Sequence, residues 1–163
     1  MATLGALTRH LTAHEEAALL DHMPARTVPA NTTLIVAGEP NDSLFFVERG
    51  ELLVSLPLEK GPVFVGARGA GAWVGEVTLL DPGSASATIT AAEDSTVRVL
   101  SAATLGALTQ THPTLVSHLV RAISEDLAHR IRAAGVVLDD APAKAPAGFF
   151  TGVFKKLFGG GAS

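Results

Sequence analysis

From Gly75 to Ile89 the chain reads Gly-Glu-Val-Thr-Leu-Leu-Asp-Pro-Gly-Ser-Ala-Ser-Ala-Thr-Ile. A short helix beginning near Glu76 would point unsatisfied amide hydrogens at whatever lies before it, which favours an anion. Taken alone, Glu76 fits a second role as well, that of a carboxylate ordering its own loop. No covalent chemistry accompanies it. Ser84 and Ser86 stand in no Gly-x-Ser-x-Gly elbow, and there is no Gly-Lys-Ser/Thr phosphate loop. Gly69, Gly71 and Gly75 superficially match a dinucleotide fingerprint, but no long helix follows them, so turns account for them better. The six histidines lack metal-ligand spacing: His10 and His14 flank a helix cap, and His118 and His129 stand turns apart on one helix. Asp139-Asp140 reads as a solvated pair. The expectation is a non-enzyme without cofactor or metal.

The elements that must hold this run are mostly short strands. Thr12-Ala13-His14-Glu15 has capping-box form and opens a short helix ending near Met23-Pro24. Strand-like segments follow at Thr33–Val36, Leu44–Val47, Leu52–Leu56, Val63–Ala67, Ala87–Ala91 and Thr96–Leu100, separated by Gly, Pro, Asn and Asp turns. So many short strands predict an antiparallel sandwich or barrel. A short helix is expected from Ser101 to about Thr109. A longer one starts at Thr111-His112-Pro113, with proline in its first turn and Gly135 as its stop. In that helix Val116, Val120, Ile123, Leu127 and Ile131 form an apolar stripe.

These pieces resemble the cyclic nucleotide-binding domain family. Its phosphate-binding cassette runs Gly-Glu-aliphatic-small-Leu-Leu, a short loop, then Arg-small-small-Thr-aliphatic. Gly75, Glu76, Val77, Ser86, Ala87 and Thr88 fit the pattern, and Ala85 takes the place of the arginine. Gly38-Glu39, Asp42, Leu44-Phe45-Phe46-Val47, Gly50 and Gly71-Ala72-Trp73-Val74-Gly75-Glu76 are similar to other stretches of the family. The resemblance covers roughly Thr12 to Ala134. It implies a mainly β fold, an antiparallel β-sandwich or jelly roll (double-stranded β-helix), with an N-terminal helix and two C-terminal helices. It also implies that Glu76 accepts from a ribose hydroxyl, while the amides near Ser86 and Ala87 and the Ser86 hydroxyl meet a cyclic phosphate. With a methyl group at Ala85 the anchoring cation is missing, so the cassette reads as degenerate and Glu76 as uncompensated. Arg68 and Arg98 are basic, but neither stands at the motif position.

Composition narrows the function further. The chain has 163 residues, 47% hydrophobic and 17% charged, which suits one folded domain with a core. A net charge of −4 gives no general attraction to nucleic acid, and no helix-turn-helix follows the domain, so direct DNA binding is not expected. There is no cysteine, and no leader or membrane-spanning run is legible, which points to the cytoplasm, peripheral to a membrane or a larger assembly.

Residues 1–11 read as an extension, 12–135 as the domain, 136–148 as a linker with Pro142 and Pro146, and 149–163 as a docking segment. On a helical wheel Phe149, Phe150, Val153, Phe154, Leu157 and Phe158 share one half, opposite Lys155 and Lys156. A helix of about 15 Å cannot span a bilayer and is marginal alone. Its apolar face is therefore expected against the chain's own domain, a membrane interface or a groove in a protein partner. The stripe from Val116 to Ile131 has two readings. It covers the sandwich, or it pairs with its twin in a homodimer that doubles the terminal anchors. The homodimer is the favoured expectation. The role that follows is a regulatory or adaptor module, with a cyclic nucleotide sensor as the alternative.

Overall fold

A computed structural model describes residues 8–139. The first helix, α1 (Ala13–Asp21), opens with the capping box expected: the Glu15 amide donates to Thr12 Oγ1, and the Thr12 amide donates to the Glu15 carboxylate. Ten strands follow: β1 (Ala25–Val28), β2 (Thr33–Ile35), β3 (Pro40–Asn41), β4 (Ser43–Arg49), β5 (Leu52–Leu58), β6 (Gly61–Arg68), β7 (Trp73–Val74), β8 (Gly83–Ser84), β9 (Thr88–Ala91) and β10 (Ser95–Ser101). The five-residue helix α2 (Glu76–Leu80) sits between β7 and β8. Helices α3 (Ala102–Thr111) and α4 (Pro113–Asp139) close the described chain.

All strand pairs are antiparallel. One sheet has the order β1-β10-β4-β7, the other β2-β9-β5-β6, and β3 with β8 forms a small ribbon beside α2. Period-two alternation explains how β4 serves two cores at once. Phe45 and Val47 point into the sandwich with Val28, Leu52, Val54, Ile89 and Val97, while Leu44 and Phe46 point the other way, to the helices. There they meet Leu19, Trp73, Leu79, Leu108, Leu115 and Leu119. The fold is the antiparallel β-sandwich with flanking helices that the sequence implied.

The strands expected from pattern all form, within a few residues at their ends. Four others were not anticipated. β1 carries one buried residue in four, and β3, β7 and β8 are two-residue pieces, too short to show a period. Gly135 does not stop α4, which runs four residues further, to Asp139. A glycine lowers helix propensity by only about 1 kcal/mol relative to alanine.

The stripe on α4 divides. Val116 and Ile123 lie in the helix-side core, Val120 and Leu127 pack against it half-buried, and Ile131 is 64% exposed. Four of the five residues considered for pairing therefore cover the chain's own sandwich. Polar contacts hold the same helix to the N-terminal end: His10 Nε2 meets Glu125 at 2.6 Å, and His118 pairs with Glu15, while Arg121 donates to Glu125 within the helix.

Leu119→Ala, at a fully buried site, should cost about 2–5 kcal/mol of unfolding free energy. Ile131→Ala should stay within about 0.5 kcal/mol. Urea titration of both variants checks this, and equal losses would contradict the placement.

Candidate functional site

Helix α2 is placed by its first residues. Gly75 is its N-cap with φ 86°, in the left-handed region, and a Cβ there would overlap the Ser43 carbonyl oxygen. Only glycine allows the backbone to pass so close. Asn41 then fixes the turn, its side-chain amide donating to the Ser43 carbonyl at 2.8 Å and to Thr78 Oγ1 at 2.7 Å.

Between α2, the β8–β9 loop and α4 lies an open cavity of about 90 Å³. Ile35, Val54, Val74 and Ile89 form apolar walls, and Trp73, Arg68 and Arg130 also line it. Of the residues named from the cassette, Gly75, Glu76, Val77, Ala85, Ser86 and Ala87 all reach this cavity. Thr88 does not: its hydroxyl accepts from the Ala37 amide at 3.0 Å, tying β9 to the end of β2. Ser86 is exposed at the rim, while Ala85 and Ala87 are buried. The Ala85 amide donates to the Glu39 carbonyl, and its own carbonyl accepts from the Gly38 amide.

One expectation is corrected here. Glu76 is 4% exposed and is not without a cation. Its Oε1 accepts from Arg130 Nη1 at 2.8 Å, across 54 residues of sequence. The same guanidinium pairs with Asp126 one turn back along α4 and lies 5.9 Å from the centre of the Trp73 ring. Arg98, one of the cations considered, is elsewhere: it donates to Glu48 and to the Met23 carbonyl. Arg68 does reach the cavity. It is 3% exposed, and burial, followed by repulsion from Arg130, pulls its pKa down to about 10, with Glu76 and Asp126 opposing the shift.

Arg130, Asp126 and Trp73 were missed as site residues. A carboxylate in a cassette that buries it signals that some cation must answer it, but nothing in the sequence says that the answer comes from α4.

Residues 25–112 match the model of the cyclic nucleotide-binding domain, and the chain belongs to that family. It is 33% identical over 129 residues to an uncharacterized NTE family protein of Mycobacterium tuberculosis, a match covering 74% of this chain and 22% of that protein. It is 43% identical over 77 residues to a cyclic nucleotide-gated potassium channel of Mesorhizobium japonicum, covering 47% and 19%. The solved catabolite activator protein of Thermus thermophilus superposes with a TM-score of 0.73 at 29% identity, over 83% of this chain and 62% of that one. The chain thus spans about a fifth of the length of the curated relatives it matches. Domains of this kind are regulatory and generally non-catalytic.

The ion pair makes a measurable claim. Arg130→Met leaves Glu76 buried and unpaired and should cost about 3–5 kcal/mol. Adding Glu76→Gln to that variant should recover a large part of the loss. Denaturation of the two single variants and the double variant gives the coupling; losses that simply add would mean the two side chains do not stabilise one another.

Proposed function

We propose that this domain is a non-catalytic regulatory module whose cassette no longer grips a cyclic phosphate, and which acts through protein partners. The observation that carries this reading is the pairing of a methyl group at Ala85 with a Glu76 already committed to Arg130. A charged hydrogen bond contributes about 1.5–3 kcal/mol, so losing the guanidinium at position 85 weakens phosphate binding by roughly ten- to a hundredfold or more. A ribose hydroxyl would also have to compete with a guanidinium for Glu76. Both contacts that the family resemblance assigns to the ligand are therefore diminished.

Output is proposed through the segment from Phe149 to Phe158, which lies outside the described residues. Its half-circle of aromatic and aliphatic residues with lysines opposite suits a partner groove or an anionic membrane interface. A homodimer joined beyond Leu127, through the exposed Ile131 end of α4, would present two such segments. Cyclic nucleotide sensing is the second reading, favoured by the survival of an open cavity at the cassette.

Calorimetry with cyclic AMP, cyclic GMP and a cyclic dinucleotide decides between them. The expected result is binding weaker than micromolar for the natural chain and at least about tenfold tighter binding of a cyclic mononucleotide by Ala85→Arg. Micromolar binding by the natural chain would establish sensing instead. For the output, liposome co-sedimentation of the full chain is compared with a chain ending at Ala141. Loss of pelleting on truncation is expected for membrane docking, and equal pelleting leaves the protein groove.

A further inference from the structure

We propose that the outer face of α4, together with Arg9, is a docking surface for an anionic phospholipid membrane. The inference deepens the reading that the chain docks through Phe149–Phe158, and its choice of lipid over other polyanions rests on that reading.

The geometry of α4 sets the surface. At about 100° per residue, Arg121 and Arg132 stand on the side of the helix opposite Arg130, which faces Glu76, and away from Leu119 and Ile123 in the core. With His129, and with Arg9 from the turn before α1, they line an open groove of about 520 Å³.

The charge of this groove is unbalanced. Glu125 is the one carboxylate among its lining residues, and it is already met by His10 Nε2 at 2.6 Å and Arg121 Nε at 3.0 Å. Arg121 gives only its Nε to that contact, and its side chain is 66% exposed. Arg9 and Arg132 are exposed and enter no ion pair or hydrogen bond among the described residues. Arg98 and Arg130, in contrast, are held by Glu48 and by Glu76 with Asp126. Three guanidiniums thus surround one occupied carboxylate, on a chain whose net charge is −4. The positive potential is local, so an anionic surface attracts this face and repels the rest.

Spacing and sequence choose the partner. Arg121 and Arg132 lie about 16 Å apart along the helix axis, further than one small anion reaches, whereas a lipid surface presents phosphates repeatedly. An acidic peptide would also answer the guanidiniums, but it offers nothing to hydrocarbon. The segment that follows α4 carries Phe149, Phe150, Phe154 and Phe158 with Lys155 and Lys156. A membrane interface takes such an aromatic face among its acyl chains and the cations among its headgroups, so it serves both parts of the chain.

The test is co-sedimentation of the full chain with vesicles of phosphatidylcholine alone and of phosphatidylcholine with phosphatidylserine. Binding should require the serine lipid. Each basic side chain at such a surface strengthens binding about fivefold, so Arg9→Gln with Arg132→Gln should weaken it by at least about tenfold. Neither residue has a partner to lose, so thermal melting should not change. Arg26→Gln with Arg49→Gln, exposed on β1 and at the end of β4, alters net charge equally and should change binding less than about threefold. A poly-glutamate peptide is titrated against the natural chain as the competing partner.

Equal binding to both vesicle types, or none to either, overturns the proposal. So do equal losses in the two paired variants, and binding of poly-glutamate by a chain that ignores vesicles. A chain ending at Ala141 separates this surface from the segment. If truncation abolishes pelleting while Arg9→Gln with Arg132→Gln leaves it intact, the α4 surface falls and the segment stands. If truncation changes nothing and the paired variant still releases the vesicles, the α4 surface stands and the segment's membrane role falls.

Discussion

A carboxylate buried at the first turn of a five-residue helix cannot stay charged at low cost unless a cation meets it. In this chain the cation for Glu76 is Arg130, and that requirement reaches through most of the architecture. Helix α4 must lie across the sandwich with its register fixed to within one turn, because Arg130 has to reach Glu76 and also lie near Trp73. Leu115, Leu119 and Ile123 supply the apolar contacts that hold it there. The carboxylates of Glu15 and Glu125 fix the same helix to the N-terminal end through His118 and His10.

The cassette is therefore tied to α4 by an ion pair within the protein. A cyclic nucleotide held in the manner that the family resemblance implies would place its hydroxyl on Glu76 and its phosphate beside position 85. The chain fills the first position with its own guanidinium and leaves the second apolar.

Much of this was legible beforehand. The capping box at Thr12, the six patterned strands and the short helix after Ser101 follow from local rules that depend on neighbours in sequence. The cassette was readable because its glycines and small residues answer backbone constraints, and Gly75 shows one directly in its left-handed turn under the Ser43 carbonyl. Strands of two residues were not readable, since a period needs more than one repeat. Gly135 misled because glycine is a weak signal inside a helix that other residues sustain.

What the amino-acid sequence determined by itself is the family, the order of the elements and the missing charge at Ala85. Each of these is a matter of residue type at short spacing. Which cation answers Glu76, which residues of the α4 stripe are spent on the core, and where Arg68 points were decided only by folding. Glu76 and Arg130 are 54 residues apart, and no local preference links them. Their contact exists because packing the hydrophobic face of α4 against the sandwich brings a guanidinium over a carboxylate that burial had already made costly to leave alone.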